Sequence, residues 1–389
     1  MLNAADKSAG ESIADSMRRL NPVQKLTGLC LLSLLMVWFL SACNIDASTP
    51  PLPATITTSL SPATNGSPEA EPGVRDRQAL ISLQKVDAYP LYAMTYKPLV
   101  MAATPSNLTE LRLELTRSKT SAPDWGCSLF TALADPEARL FGRNFDWRFS
   151  PALLLFYYPP EGYSSVSMVD IEYLFDGADL HRLDEMSLME RMPLLDSVQI
   201  PFDGMNSSGL VIGMAAVPFS PLPEQTDSAT VSSLGIMRQI LDQASDVGEA
   251  LAILSSVNLD WGGGPPLHYL ISDRHGKSVL VEFIDGDIVI LESGEAWQAA
   301  TNFLQGSAIK DHSGLCQRYD LLQSTLEQLG GALSTDQAME LLARVAQVGL
   351  DSGTQWSVVY NNSLGQVQIV MGRMYENPHT YVLKLQKPE

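Results

Sequence analysis

Two apolar segments joined by a turn constrain the fold of this chain more than any other feature. Residues 128–133 and 139–145 are rich in Leu, Phe and other strand-forming side chains, and the sequence Asp135-Pro136-Glu137-Ala138 lies between them. Asp and Pro favour turns, so the pattern predicts a β-hairpin. A hairpin returns the end of its second strand to the start of its first. Side chains near 127 and near 143–146 are therefore expected to be neighbours.

Three reactive side chains lie at that end of the predicted hairpin. Cys127 precedes the first strand, and Arg143 and Asp146 follow it by sixteen and nineteen positions. A thiolate attacks an amide carbonyl, and a neighbouring guanidinium favours that thiolate. Other interpretations are a buried structural cysteine, a plain Arg–Asp ion pair, or a disulfide to Cys316. Cys316 itself is expected to serve packing, with a redox role left open.

The rest of the chain alternates clusters of strands with pairs of helices. Such alternation predicts sheets covered by helices. The turn around Asn206 joins the second predicted hairpin. Further strands are predicted at 198–203, 209–216, 267–272, 278–283, 288–291, 356–360, 367–371 and 380–385, and helices at 233–244, 247–257, 315–329 and 338–348.

The spacing of Cys127, Arg143 and Asp146 resembles that of the linear-amide C–N hydrolases. This family includes choloylglycine hydrolases, penicillin V acylases, the acyltransferase that makes penicillins and acid ceramidase-like enzymes. The resemblance runs from about residue 83 to the C-terminus. It implies an α+β fold, the four-layer αββα sandwich of N-terminal-nucleophile hydrolases, with two mainly antiparallel sheets covered by helices. It also implies hydrolysis of a linear amide in a small N-acyl substrate through a thioester, with no cofactor.

Two further positions match the family. Asn302, at the end of a predicted strand, corresponds to the family's oxyanion-hole Asn, and Arg318 corresponds to its late Arg beside the thiolate. A turn Asn and a surface Arg are the alternatives. Choloylglycine hydrolases carry a catalytic Asn where this chain has Ala216, so a backbone N–H at or beside Ala216 is the expected second oxyanion donor. The difference argues against bile-salt hydrolysis in particular.

Aromatic residues after the hairpin suggest a binding pocket. Residues 149–177 are predicted to form an apolar loop, and Trp147, Tyr157 and Tyr163 are candidates to line an acyl pocket. Packing of this loop over a sheet is the alternative.

The family resemblance predicts that the Gly126–Cys127 bond is cut. The cut would free the α-amine of Cys127, whose pKa near ~8 suits a base for its own thiol, with Asp146 holding the amine. The predicted folded domain, 78–389, would then consist of a part ending at 126 and a part 127–389. Acyl transfer to an amine is an alternative outcome, and a non-catalytic tethered binding lipoprotein is another.

The first 42 residues are predicted to be a lipoprotein signal peptide. A basic flank precedes an apolar run at 26–40 that is short for a spanning helix, although a retained membrane anchor is the alternative. Leu40-Ser41-Ala42-Cys43 resembles the bacterial lipobox, which implies lipidation of Cys43 and anchoring to the outer face of a bacterial membrane. Residues 43–77, rich in Pro, Ser and Thr, are expected to form a flexible tether.

Charge and histidine content exclude some partners. Beyond residue 42 the chain has 21 basic and 41 acidic side chains, a net charge of about −20, which argues against nucleic acid as a partner. The five histidines show no metal-binding spacing. The expected partners are a small N-acyl amide and, through Cys43, a membrane.

Overall fold

The computed structural model describes residues 73–100, 126–175, 178–224, 226–309, 311–349 and 353–387. The predicted signal peptide, Cys43 and nearly all of the predicted tether lie outside these residues. Helix α1 (Val74–Ile81) begins four residues before the predicted start of the folded domain at 78. It is fixed there because Ala79 and Leu80 are buried and Asp76 accepts a hydrogen bond from the Tyr96 hydroxyl at 2.7 Å.

A nine-stranded sheet forms one half of the fold. Neighbouring strands pair antiparallel, except that the second and third strands in the order below are parallel. In spatial order they are β1 (Gln84–Asp87), β2 (Leu91–Tyr96), β5 (Ala152–Tyr157), β6 (Ser165–Asp170), β7 (Asp203–Asn206), β8 (Val211–Ala216), β11 (Leu267–Ser272), β12 (Ser278–Ile284) and β13 (Asp287–Glu292).

A six-stranded, fully antiparallel sheet forms the other half. Every residue of its central strands is buried, which is typical of strands covered on both faces. In spatial order its strands are β14 (Trp297–Ala300), β3 (Gly126–Ala132), β4 (Leu140–Trp147), β15 (Gly353–Asn361), β16 (Gln366–Met371) and β17 (His379–Val382).

Four helices cover the two sheets. Helices α2 (Gly235–Gln243) and α3 (Val247–Ser255) pack on the nine-stranded sheet, whereas α4 (Gln317–Gln328) and α5 (Thr335–Arg344) pack on the six-stranded one. The sheets face each other through β3 and β8. The layer order is therefore helix, sheet, sheet, helix, and the predicted α+β fold is confirmed. A small parallel pair, β9 (Thr230–Ser232) and β10 (Asn258–Asp260), lies outside both sheets.

Sequence patterns account for the turns and helix ends that hold this fold. Helix α5 begins with a capping box between Ser334 and Gln337, and α3 begins at Asp246, whose side chain accepts from the N–H of Glu249. The β7–β8 turn requires Gly209, whose φ is +87°. Asn206 accepts the backbone N–H groups of residues 208 and 210, so it is the turn residue that the sequence predicted.

Two predicted segments differ from the structure. Residues 198–203 do not form a strand: a 3₁₀ segment (Met192–Gln199) ends there and β7 begins only at Asp203. The predicted loop 149–177 instead contains β5, β6 and the 3₁₀ turn Ile171–Leu174. In both cases burial decides the structure. The apolar residues of β5 are paired inside the sheet. Leu194 and Val198 are buried although they belong to the 3₁₀ segment. In the part of the chain that was described, no helix is long and apolar enough to span a bilayer.

Candidate active site

The hairpin β3–β4 brings Cys127, Arg143 and Asp146 together, as the sequence predicted. Cys127 is paired with Phe145, and Gly126 is paired with Asp146. Because side chains alternate along a strand, Cys127 and Arg143 point to the face between the sheets, whereas Asp146 points to the opposite face. The thiol and the carboxylate therefore flank the start of β3 from two sides, and all three side chains are buried.

Arg143 links the thiol to a buried acidic group that the sequence analysis missed. Its Nη2 lies 3.7 Å from Cys127 Sγ, and its Nη1 pairs with Asp203, the first residue of β7. Asp203 also accepts hydrogen bonds from the Tyr360 hydroxyl at 2.5 Å and the Trp356 indole at 3.3 Å. A charge pair without solvent requires such partners to offset desolvation. The sequence placed Asp203 only at the end of the predicted strand 198–203 and gave it no role.

The surroundings of the Cys127 thiol disfavour its thiolate form. Burial raises its pKa above the ordinary value, Arg143 opposes this by its positive charge, and the nearby Asp146 carboxylate raises the pKa further. The expected effect of Arg143 on the thiolate is therefore present, but burial outweighs it. Attack by sulfur consequently requires a base that removes the thiol proton.

Asp146 is fixed by neutral donors as well as by charge. It accepts hydrogen bonds from Thr354 Oγ1 at 2.5 Å and Gln347 Nε2 at 2.8 Å, and Arg318 Nη1 lies 3.8 Å from it. Burial raises the pKa of Asp146, and Arg318 counteracts that rise. In the intact chain the backbone N–H of Cys127 donates to Asn302 Oδ1 at 2.9 Å rather than to Asp146.

Asn302, directly after β14, connects the two sheets beside Cys127. Its Oδ1 accepts from Arg318 Nη2 at 2.9 Å, and its Nδ2 donates to the carbonyl of Ala216 at 2.8 Å. The obligate donor Arg318 fixes this orientation of the amide. The second N–H of the amide is the one that an oxyanion could use.

The backbone of Ala216 also points toward this position. The N–H of Val217 donates to the carbonyl of Pro266 at 3.0 Å, so Val217 is occupied by the pairing with the neighbouring strand. In an antiparallel pair the polar groups of successive residues point to opposite sides. The N–H and carbonyl of Ala216 therefore point away from β11 and toward Asn302, and the predicted backbone donor at 216 has the required direction.

Arg318 lies in the first turn of α4, where the sequence placed it. Its Nη1 donates to the carbonyl of Cys127 and to Ser128 Oγ, the latter at 2.9 Å. Together with its contacts to Asn302 and Asp146, these bonds make Arg318 the common neighbour of the site. Cys316, two residues earlier, is buried and forms no disulfide, and neither does Cys127. The predicted alternative of a Cys127–Cys316 bridge is therefore wrong.

An apolar cavity opens over the thiol. Its volume is about 550 Å³, including the part that is open to solvent. Cys127, Arg143 and Asp146 provide its charged and reactive end. The apolar lining consists of Phe145, Trp147, Tyr173, Phe202, Met214, Ala215, Ala216, Leu234, Trp261, Pro265 and Leu267.

The predicted pocket residues divide into one that lines this cavity and two that do not. Trp147 lines it. Tyr157 is buried elsewhere in the nine-stranded sheet, with the Arg238 guanidinium 4.9 Å from its ring centre, and Tyr163 likewise does not line the cavity. The structure places neither residue where it was expected: Tyr157 is paired inside the sheet as part of β5, and Tyr163 lies in the connection between β5 and β6. Tyr173 is the aromatic side chain of the predicted loop that reaches the cavity.

Within the described residues, no group of three or more His, Cys, Asp or Glu side chains could hold a metal ion. The arrangement instead combines a thiol, two guanidinium groups, a carboxylate and directed amide donors. Such a set can support nucleophilic attack on a carbonyl and stabilise the oxyanion that forms. The fold and the site thus define an αββα protein with a buried cysteine at the polar end of an apolar cavity.

Comparison with a family of known proteins agrees with the resemblance seen in the sequence. Residues 127–302 match the family described as linear amide C-N hydrolases, choloylglycine hydrolase family. The match begins at Cys127 and ends at Asn302, and it covers slightly less than half of the chain. The comparison with curated proteins finds no match.

Several solved structures are similar to this chain. Penicillin V acylase from Agrobacterium tumefaciens has a TM-score of 0.45 and 17% identity, covering 65% of this chain and 84% of that chain. A conjugated bile acid hydrolase from Clostridium perfringens has a TM-score of 0.42 and 14% identity, covering 68% and 99%. A Caenorhabditis elegans N-acylethanolamine-hydrolyzing acid amidase ortholog has a TM-score of 0.41 and 13% identity, covering 66% and 100%. With identities this low, what those proteins act on describes them alone.

Proposed function

We propose that this protein hydrolyses the amide bond of a small N-acyl substrate through a thioester on Cys127, after a cut at Gly126–Cys127 has made that cysteine N-terminal. The observation that carries the proposal is the position of the Cys127 thiol. It lies 3.7 Å from a guanidinium nitrogen of Arg143, at the reactive end of an apolar cavity. The Asn302 amide lies beside the thiol and donates one N–H to the carbonyl of Ala216 at 2.8 Å. Its second N–H and the N–H of Ala216 are the proposed donors to the oxyanion.

The cut follows from the same nucleophile. Sulfur attacks the carbonyl carbon of Gly126, a thioester forms as the C–N bond breaks, and the thiol proton passes to the nitrogen that leaves. Water then hydrolyses the thioester, which yields a carboxylate at Gly126 and restores the thiol. The freed α-amine of Cys127 supplies the base that the buried thiol needs, because its ordinary pKa near ~8 lies close to neutrality.

Turnover of substrate repeats these steps. The amine removes the thiol proton, sulfur attacks the substrate carbonyl, and the proton is given to the nitrogen of the leaving amine. The acyl group remains as a thioester until water releases it as a carboxylate. The negative charge of Asp146 stabilises the α-ammonium, and Arg143 and Arg318 stabilise negative charge near sulfur. Asn302 and Ala216 donate to the oxyanion.

The lining of the cavity favours a substrate whose acyl group is apolar and uncharged. Its lining away from Cys127 is aliphatic and aromatic, including Phe202, Met214 and Trp261, so a charged acyl group there would lose its hydration without a partner. The leaving amine is the part of the substrate that faces solvent.

The protein is proposed to act outside the cytoplasmic membrane, tethered by a lipid on Cys43. Support comes from the apolar run at 26–40 and the lipobox-like residues that follow it. The segment before the cut is proposed to stay bound. Strand β2 contributes buried Leu91, Tyr92 and Met94, and the Tyr92 hydroxyl donates to the carbonyl of Leu180 at 2.8 Å. The lipid therefore also tethers the part that carries the thiol.

Intact mass of the purified protein, together with a panel of N-acyl amides, tests the proposal. We expect two chains separated at 126/127, and release of amine from penicillin V, N-acylethanolamines, acyl homoserine lactones or short acyl-peptides. A full-length single chain that is fully active would refute the N-terminal nucleophile. Absence of turnover and of selective iodoacetamide labelling at Cys127 would favour a binding lipoprotein, and transfer of the acyl group to added amines in preference to water would favour an acyltransferase.

A further inference from the structure

Gly126, the residue before the bond to be cut, is in contact with a side chain that the mechanism above does not use. A Cβ added to Gly126 would lie 1.8 Å from Gln347 Nε2 and 2.9 Å from Asp146 Oδ2. Real Cβ atoms do not approach other atoms so closely, and the φ of Gly126 is not in the left-handed region. Any larger residue at 126 therefore requires the end of the Gln347 side chain to move, although the backbone conformation would accept it.

The side chain of Gln347 occupies that space because it donates to Asp146. The distance from Gln347 Nε2 to Asp146 Oδ2 is 2.8 Å. Asp146 is the cross-strand partner of Gly126, so the three groups are contiguous on one face of the hairpin. The amide of Gln347 therefore lies over the α-carbon of the residue that supplies the carbonyl for the cut.

The backbone of Gln347 is itself fixed, although it follows the end of α5. Its N–H donates to Thr354 Oγ1 at 2.9 Å, and its carbonyl accepts the N–H of Thr354 at 3.1 Å. The same Thr354 hydroxyl donates to Asp146 Oδ1. Each oxygen of Asp146 thus has one neutral donor, and both donors are held by the Gln347–Thr354 contact.

We infer that Gln347 is a positioning residue for the cut at Gly126–Cys127: it orients Asp146 beside the bond, and glycine before the bond leaves room for it. This inference rests on the proposed function. The side chain of Gln347 donates its hydrogen bond to Asp146 and not to the thiol, so it acts through Asp146. A larger residue at 126 must displace the end of the Gln347 side chain, and the displaced amide loses its hydrogen bond to Asp146.

A double-mutant cycle tests this coupling. Full-length chains are made by cell-free synthesis, and the fraction cut is followed by intact mass for wild type, Gly126→Ala, Gln347→Ala and the double variant. A hydrogen bond to a charged group corresponds to roughly 10- to 100-fold in rate, so each single variant should be slowed by that factor. Because both lose the same bond, the double variant should be no slower than the slower single variant.

Three controls separate the outcomes. Gln347→Met keeps the length of the side chain without its donor and should be cut as slowly as Gln347→Ala. Gly294→Ala, where an added Cβ meets no atom within 4 Å, should be cut at the wild-type rate. Thermal melting of each chain shows whether it is folded. If Gly126→Ala does not fold, the comparison of Gln347→Met with wild type carries the test.

Multiplicative rate losses in the double variant, or a wild-type rate for Gln347→Met, would overturn the role of Gln347 while leaving the proposed function intact. A wild-type chain that turns over substrate without being cut would instead refute the proposed function.

Discussion

The two sheets contribute different properties to one site. The six-stranded sheet carries the reactive groups, because Cys127, Arg143 and Asp146 lie on one hairpin and Asn302 follows its edge strand. The nine-stranded sheet supplies apolar surface over the thiol. The reactive groups therefore lie at a few positions whose register is fixed. Substrate choice is expected to depend on the apolar side chains of the large sheet, which can be exchanged for other apolar side chains. Two residues of the large sheet are exceptions: the backbone of Ala216 is the proposed second oxyanion donor, and Asp203 neutralises Arg143.

The largest effect is expected on the reactive sheet. Cys127→Ala should reduce turnover by about 10⁴-fold or more and leave the chain uncut, because no other group can form the thioester. Cys316→Ala is the matched control, a second buried cysteine whose loss should affect stability alone. Amide hydrolysis and intact mass are the measurements. Wild-type turnover by Cys127→Ala would remove the thiol from the mechanism.

Removal of the Asp203 carboxylate is expected to destabilise the whole fold. Asp203→Ala leaves the Arg143 guanidinium buried without its counter-charge, which should lower the free energy of unfolding by about 3–5 kcal/mol. Urea denaturation measures this. Glu185→Ala, in an ion pair with Arg182 whose side chains are both more than half exposed, is the control and should leave the free energy of unfolding almost unchanged. Equal losses in the two variants would mean that Asp203 does not balance Arg143.

A buried carboxyl on the nine-stranded sheet should respond to pH through stability rather than turnover. Burial raises the pKa of Asp170 to about 7, and the N–H of Glu172 opposes the rise. Because the folded-state pKa is raised, the favourable contribution of Asp170 is complete below about pH 4 and is lost as pH rises to about 7. Asp170→Asn should remove this loss, which is about 4 kcal/mol for a pKa raised from its ordinary value to about 7.

Unfolding free energies of wild type and Asp170→Asn at pH 5 and pH 8 provide the check. The variant should gain on wild type at the higher pH while its turnover stays unchanged. A constant difference between the two pH values would show that Asp170 does not titrate in this range.

The smallest effect is expected on substrate choice. Trp261 lines the cavity from outside the two large sheets, with its indole N–H donating to the carbonyl of Ser220 at 3.1 Å. Trp261→Ala should lower kcat/KM about 10- to 100-fold for long acyl groups and much less for acetyl amides. Trp297→Ala, on an edge strand and outside the cavity lining, is the control. A uniform loss for all acyl lengths would assign Trp261 to chemistry or folding instead.

Sequence reasoning succeeded where local pattern and reactivity coincide. Turn residues at 135–138 and flanking apolar runs predict the hairpin, and the register of a hairpin places Arg143 and Asp146 beside Cys127. It failed where long-range packing decides. Tyr157 is aromatic and follows the hairpin, yet the pairing of β5 inside the sheet turns it away from the cavity. Only the tertiary structure brings together groups such as Arg143 and Asp203, which lie sixty residues apart in sequence.

The parallel pairing of β2 with β5 has a thermodynamic consequence. If the chain is cut before Cys127, β2 and β5 belong to different polypeptides, and the nine-stranded sheet becomes an interface between them. Unfolding then releases two molecules from one, so the melting temperature of the mature protein should rise with its concentration. Recovery after denaturation would require an encounter between the two chains. The durability of the mature enzyme would therefore depend on how slowly they separate.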